Sequence, residues 1–189
     1  MTPFHSFTMV KRPVDQIWLV MRDHLAELAV QLDDLDSIVQ LERSTGSDGR
    51  LLLVNRWQAR RTIPAMLRGA LGGDVISWVD RARWDDAAHV CEWAITPSVL
   101  PEHIECRGST RYEPAMAGRG TRVTFDGSFT LKPGFLNRLP AAFEPAILSL
   151  VENIVSTLIP RNLSKAINAA GEFSASPAPG QALAPPASP

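Results

Sequence analysis

The carboxylate of Asp80 is the group in this chain best placed for acid–base chemistry. From Ile76 to Leu131, apolar and polar side chains alternate through four strand-length runs, which is typical of an antiparallel sheet with one apolar face. Asp80 is the one carboxylate that this alternation places on the apolar face of the central strands. A buried carboxyl group has a raised pKa, which suits it to general acid or base catalysis. The alternatives are a strand shifted by one residue or a salt bridge near the sheet edge.

Two further polar side chains fall on the same predicted face. Tyr112 is the only tyrosine of the chain, and its hydroxyl would donate a hydrogen bond to a ligand carbonyl or to a buried backbone partner. Asn55 lies in the inward set of an earlier strand, where it would be a polar contact in an apolar pocket or would mark the wet mouth of a cavity. Asp80 and Tyr112 are therefore the candidate catalytic residues.

The sequence offers no metal, cofactor or nucleophile motif. The four histidines, His5, His24, His89 and His103, show no pairing at ligand spacing, so we expect no metal site. Cys91 and Cys106 fall on neighbouring predicted strands, on an apolar face where thiols are usually inert, and the predicted register keeps them from facing each other. We therefore expect two reduced thiols and no bound cofactor.

The elements that would position these residues follow one another in a simple order. Residues 4–10 form a predicted strand, and apolar residues then recur at helical spacing from Val14 to Leu32. Six further strands are predicted at residues 37–43, 51–59, 76–85, 89–96, 104–112 and 121–131. A long amphipathic helix closes the chain from about Pro140 to Ala170, with half of its circumference apolar. Pro160 should kink or interrupt this helix.

The predicted turns set a provisional register for the central strands. Asp80 lies opposite Trp93, Trp93 opposite Gly108, and Gly108 opposite Gly127, all on the apolar face. Glycine within a strand either allows the sheet to bend, with the Trp93 ring filling the gap, or leaves room for a ligand. Either interpretation places Trp93 near the wall of a cavity.

An apolar cavity between this sheet and the closing helix is the predicted binding site. Its lining is expected to combine aromatic side chains, the two glycines, a few polar groups and one face of the helix. These residues are Asn55, Trp57, Met66, Trp78, Trp93, Gly108, Tyr112, Phe125, Gly127, Phe129, Val151 and Val155.

Residues 60–73 form an insertion that predicts a short amphipathic helix. Arg60, Arg61 and Arg68 flank Ile63, Met66, Leu67 and Leu71, and glycines end the segment. Such a segment would close over the cavity as a lid, make a transient contact with an anionic membrane, or simply cap one open end of the sheet.

The overall composition is that of a soluble globular domain. A net charge of −1 among 189 residues argues against nucleic-acid binding, which usually shows as a strong basic excess. The composition changes near Gly171, so we predict one domain over residues 1–171 and a disordered tail rich in Ala, Pro and Ser over residues 172–189. The first residues show no charged segment leading into an apolar run, and the expected location is the cytoplasm.

The order of elements resembles the START-like superfamily, also called SRPBCC, which includes the polyketide cyclase-like proteins. The resemblance covers roughly residues 4–170 and rests on three stretches in order: Val14–Trp18, Gly120–Phe125 and Val151–Leu163. It implies an α+β helix-grip fold, in which a curved antiparallel sheet of about seven strands wraps around a long C-terminal helix and encloses a deep apolar cavity. The superfamily has no universal catalytic motif, so no catalytic residue is carried over.

Three functions remain open. The first is binding or transfer of a small hydrophobic ligand, such as a lipid, an isoprenoid or a polyketide-like molecule. The second is an enzyme of the cyclase or dehydratase type, in which Asp80 and Tyr112 supply the acid–base groups and the aromatic wall folds the substrate. The third is an interaction module whose cavity is incidental.

Overall fold

The computed structural model describes residues 2–65, 67–68, 75–132 and 143–173. One antiparallel sheet of seven strands dominates it, in the spatial order β1-β7-β6-β5-β4-β3-β2. The strands are β1 Thr2–Val10, β2 Leu35–Thr45, β3 Leu51–Thr62, β4 Val75–Asp85, β5 Val90–Pro97, β6 Ile104–Ala115 and β7 Gly120–Leu131. All seven predicted strands are confirmed, and the fold is the predicted α+β arrangement.

The alternation of side chains along the strands decides which face of the sheet is buried. In β4, Trp78, Ala82 and Trp84 are buried, while Arg81 and Arg83 between them are exposed. The same alternation continues in β5, β6 and β7, because neighbouring strands pair without a change of face. The predicted inward and outward sets of the central strands are therefore confirmed.

The predicted pairing of Asp80 with Trp93 is wrong by two residues. Asp80 lies opposite Ile95, and Trp93 lies opposite Ala82. The connection between β4 and β5 is longer than predicted, because the Asp85 side chain accepts hydrogen bonds from the backbone N–H groups of Ala87 and Ala88, and His89 adopts a positive φ of 50°. A shift of two residues keeps every side chain on its face. The predicted pairs Trp93–Gly108 and Gly108–Gly127 are confirmed.

Two short helices follow β1 and cover one end of the sheet. They are α1 Val14–Asp23 and α2 Leu25–Leu28. In α1, Trp18 donates its indole N–H to Asp86 Oδ1 at 2.8 Å, and Arg22 donates to the same carboxylate at 2.7 Å. These contacts fix α1 to the turn between β4 and β5, which brings the Trp18 and Met21 side chains into the core.

The closing helix is continuous but changes its winding. It runs as α3 Glu144–Asn153, a π-helical turn Ile154–Leu158 and α4 Ile159–Glu172. Pro160 has no backbone N–H to donate to the preceding turn, and its ring crowds that turn, so the helix widens just before it. The interruption predicted at Pro160 therefore takes the form of a π turn. Pro140, where the helix was predicted to start, lies outside the described residues.

The insertion differs from its prediction at its start. Strand β3 continues to Thr62, so residues 60–62 belong to the sheet and not to a helix. Ile63 and Leu67 beyond it are each 1% exposed, and Arg68 Nε donates to the carbonyl of Ile63. Met66 and residues 69–74 lie outside the described residues.

Candidate functional site

A cavity of about 60 Å³ lies between the inner face of the sheet and the helices. Side chains from β3 to β7, from α1 and α2, and from α4 enclose it. The lining consists of Met21, Leu25, Trp57, Trp78, Asp80, Ala82, Trp84, Cys91, Trp93, Ile95, Thr110, Tyr112, Phe125, Ile159 and Leu163. A dry engineered cavity of about 150 Å³ in another protein holds one benzene molecule, so this space suits only a small group unless the walls move.

The structure brings half of the predicted site residues together at this cavity. Six of them line it: Asp80, Trp57, Trp78, Trp93, Tyr112 and Phe125. Five others do not: Asn55, Gly108, Gly127, Phe129 and Val151, of which Asn55 is buried directly opposite Asp80. Met66 and the side chain of Val155 lie outside the described part of the chain.

The ring of Trp93 fills the space above the two glycines. A Cβ atom on Gly108 would lie 2.5 Å from Trp93 Cζ2, and one on Gly127 would lie 2.6 Å from Trp93 Cη2. Any larger residue at either position would collide with the ring. The glycines therefore accommodate Trp93, and the ring rather than the glycine backbone forms the wall of the cavity.

Aromatic pairs make up most of the remaining wall. The rings of Trp57 and Trp78 stack with their centroids 5.7 Å apart, and those of Trp93 and Phe125 stack at 4.6 Å. At the other end, the Trp84 ring packs against Tyr112 and meets Trp18 edge-on. Such stacked and edge-to-face pairs hold the rings rigidly, so the wall has a defined shape.

Asp80 is the charged group of the cavity wall. Burial raises its pKa from 3.8 to about 7, and hydrogen-bonding contributions from Asn55 and Trp57 offset part of that increase. The residue as a whole keeps some exposure, but its Oδ1 is fully enclosed and has no hydrogen-bond partner among the described residues. A carboxyl group in this state gains or loses a proton near neutral pH, which a general acid or base requires.

Two indole nitrogens at the same cavity are also buried without a partner. The Nε1 atoms of Trp57 and Trp84 find no acceptor among the described residues, whereas Trp93 Nε1 donates to Thr110 Oγ1 at 3.1 Å. Native proteins leave few buried polar atoms unpaired, and each such atom calls for a water, an ion or a ligand. The cavity therefore presents two free donors and one free acceptor on an otherwise apolar wall.

Tyr112 and Cys91 complete the titratable groups of the lining. Burial raises the pKa of both well above the ordinary values, and the neighbouring charge of Asp80 raises them further. Both groups therefore stay protonated at neutral pH, so Tyr112 is a hydrogen-bond donor and Cys91 is not a nucleophile.

Sequence reasoning missed the lining residues contributed by the helices. Met21 and Leu25 recur at the i, i+4 spacing of a helical face, as do Ile159 and Leu163. This periodicity predicted burial but not contact with a cavity, because the packing of helix against sheet decides which buried residues reach it. Ala82 was missed for a related reason, since a small side chain carries little pattern.

The described residues contain no group of three His, Cys, Asp or Glu side chains placed to hold a metal ion. No helix within the described ranges is long and apolar enough to cross a membrane. Cys91 and Cys106 are both free and buried, with Cys91 opposite Thr110 and Cys106 opposite Ile95.

No family model matches this chain, and no curated protein matches it in sequence. Solved structures do match it in shape. The ZhuI aromatase/cyclase from Streptomyces sp. R1128 is 18% identical, covers 90% of this chain and 91% of its own, and superposes with a TM-score of 0.61. TTHA0849 from Thermus thermophilus is 17% identical, with coverages of 90% and 94% and a TM-score of 0.59.

A plant enzyme shares the same architecture. Norcoclaurine synthase from Thalictrum flavum is 13% identical, with coverages of 88% and 83% and a TM-score of 0.54. At such low identities these similarities establish the fold and nothing about the reaction or the ligand.

Proposed function

Because the chain has a START-like, helix-grip fold, we propose that it binds or transfers a small hydrophobic molecule in the cavity between the sheet and the closing helix. The observation that carries this proposal is the enclosed cavity lined by Trp57, Trp78, Trp84 and Trp93. Cavities walled by aromatic side chains with a few polar groups are typical ligand sites. The aromatase/cyclase among the proteins of this fold is consistent with a cyclic or polyketide-like ligand.

The size of the cavity limits how such a molecule would be held. A space of about 60 Å³ does not contain a lipid, an isoprenoid or a polyketide, so binding one requires the closing helix to move away from the sheet. Ile159 and Leu163 of this helix form part of the wall, directly after the π turn. Pro160 leaves one backbone hydrogen bond unmade there, which lowers the cost of bending the helix at the cavity.

A cavity-filling variant tests the proposal directly. Ala82 is 2% exposed and lines the cavity, so Ala82→Leu should fill it, whereas Ala94→Leu on the adjacent strand points to solvent and is the matched control. Tryptophan fluorescence would be followed while farnesol, 2-naphthol or oleate is added, and organic extracts of the purified proteins would be compared by mass spectrometry. Quenching by at least one probe in the native protein and in Ala94→Leu, with loss in Ala82→Leu, is the expected result. Equal behaviour of all three proteins would refute binding at this cavity.

A cyclase or dehydratase activity is the second candidate, and the state of Asp80 favours it. A carboxyl group with a pKa of about 7, lining the same cavity as the protonated hydroxyl of Tyr112, provides one group that exchanges protons and one that polarises a carbonyl. Asp80→Asn should abolish turnover of a polyketide-like substrate and preserve its binding. Unchanged turnover would remove Asp80 from the mechanism.

Contact with a membrane, an interaction-module role and a cytoplasmic location remain predictions. Of the apolar side chains that a membrane contact through residues 60–73 would use, Ile63 and Leu67 are buried in the domain. Their burial favours the simpler role, in which this segment caps one open end of the sheet.

A further inference from the structure

Two of the unpartnered polar atoms at the cavity have opposite hydrogen-bonding roles and lie on the same wall. Trp57 Nε1 is a donor on β3, and Asp80 Oδ1 is an acceptor on β4. Both atoms are fully enclosed, and neither has a partner among the described residues. An unpaired buried polar group costs about 1–3 kcal/mol, so leaving two of them beside each other is expensive unless a bound molecule satisfies them.

The strand register explains why these two atoms are neighbours. Trp57 lies directly opposite Trp78, and Asp80 is two residues beyond Trp78 on the same face of β4. Trp57 and Asp80 are thus a diagonal pair, at a spacing that a long aromatic side chain can bridge. Their proximity also shows in the electrostatics, because Trp57 lowers the pKa of the Asp80 carboxyl.

We propose that the cavity recognises a hydroxyl group on its ligand, which accepts a hydrogen bond from Trp57 Nε1 and donates one to Asp80 Oδ1. This inference rests on the proposed ligand-binding function and specifies its chemistry. A hydroxyl is the smallest group that both donates and accepts, and the small volume at this wall leaves no room for a larger polar group. The ligand class is therefore an alcohol, a phenol or an enol attached to an apolar body.

Two kinds of hydrophobic molecule are disfavoured by the same arrangement. A hydrocarbon would leave both polar atoms unpaired in a dry site, and sites built to bind a hydroxyl reject analogues that lack it. A carboxylate such as a fatty-acid head group would be placed beside the Asp80 carboxylate, where like charges repel in a low-dielectric environment.

Phenol and toluene form a matched pair of probes for this inference, because they differ only in a hydroxyl replaced by a methyl group of similar size. Binding of each would be measured by isothermal titration calorimetry at pH 8, with benzoate as the anionic comparison. Trp57→Phe removes the unpartnered donor and keeps an aromatic ring. Trp78→Phe alters the other member of the stacked pair, whose nitrogen is not among the unpartnered buried atoms, and is the matched control.

We expect the native protein to bind phenol more tightly than toluene and at least about tenfold more tightly than benzoate. The ratio of the two dissociation constants for phenol and toluene should shift toward toluene by about tenfold in Trp57→Phe and stay unchanged in Trp78→Phe. Toluene or benzoate binding the native protein as tightly as phenol would overturn hydroxyl recognition while leaving the ligand-binding function intact. Binding of none of these probes, together with no response to the larger probes named above, would overturn both.

Discussion

The indole ring of Trp93 lies against the backbone of Gly108, with Cζ2 only 2.5 Å from the point where a Cβ atom would be. The two residues face each other across β5 and β6. A similar contact with Gly127 in β7 continues the row, so one tryptophan covers two strands that carry no side chain beneath it. This arrangement allows the sheet to bend tightly around the aromatic wall.

Substitution of Gly108 should therefore destabilise the protein. Gly108→Ala places a methyl group in the Trp93 ring, and overpacking of this kind costs about 1–3 kcal/mol or more. The free energy of unfolding in urea measures it. Ser109→Ala, at the adjacent outward position, is the control and should change stability by less than about 0.5 kcal/mol. Equal stability of the two variants would show that Trp93 does not rest on Gly108.

The raised pKa of Asp80 predicts a decrease in stability as pH rises. Between about pH 4 and pH 7 the unfolded chain loses the Asp80 proton and the folded protein keeps it, so the folded state binds more protons and its stability falls with increasing pH. Above pH 7 the loss is complete. It amounts to at most about 4 kcal/mol at 1.36 kcal/mol per pKa unit, and less where the cavity admits water.

Asp80→Asn isolates this effect. The amide does not titrate, so urea unfolding from pH 4.5 to pH 8.5 should show a smaller decline in the variant than in the native protein. Carboxylates such as Asp23 do not obscure the comparison. Burial would raise the pKa of Asp23, but hydrogen bonds from Arg22 and Arg43 outweigh it and lower the pKa, so its contribution is lost only in more acidic solution. Parallel pH profiles would contradict the burial of the Asp80 carboxyl.

Both cysteines should resist thiol reagents in the folded protein. Burial raises the pKa of Cys106 to about 12 and that of Cys91 well above its ordinary value, and the thiolate is the reactive form. We expect Ellman's reagent to react at least about a hundredfold more slowly than with a free thiol, and with both cysteines at once on addition of denaturant. In a Cys106→Ala variant, a cavity ligand should slow the modification of Cys91 further, since Cys91 lines the cavity. Rapid modification of the native protein would be inconsistent with the enclosed sheet face.

Replacing the proline at the π turn should stabilise the closing helix. Pro160→Ala supplies the missing N–H donor and removes the ring, which we expect to raise the free energy of unfolding by about 1–3 kcal/mol. Pro145→Ala is the matched control, because Pro145 lies in the first turn of α3, where no intrahelical bond is lost. If bending at Pro160 admits ligands, the stabilised variant should also bind farnesol more weakly. A decrease in stability would show that the proline is not the cause of the π turn.

The fold could be predicted from the sequence because its signals are periodic. Alternation in four strands and a change to helical spacing gave the sheet, its buried face and the closing helix, and an error of two residues at the turn before Val90 left the face unchanged. The turn itself was misjudged because its length depends on how the Asp85 side chain binds the backbone, which periodicity does not report.

The cavity was harder to predict than the fold. Trp57, Trp78 and Trp93 were recognised as lining residues because they are large and inward-facing. Gly108 and Gly127 were assigned the same role, but the Trp93 ring covers them, a packing detail that no one-dimensional pattern contains. The volume of the cavity is likewise set by how closely the helix approaches the sheet, and this depends on many contacts at once.

The pairing of β1 with β7 has a consequence for how the protein is made. Strand β1 also contacts α4, where the hydroxyls of Thr8 and Ser164 meet at 2.7 Å across 156 positions of the chain. A ribosome therefore releases the first strand long before either of its partners has been translated. Until α4 emerges, the tryptophan-lined face of the sheet has no cover, and such nascent surfaces are those that chaperones bind. Contacts so distant along the chain also predict refolding over milliseconds to seconds rather than microseconds.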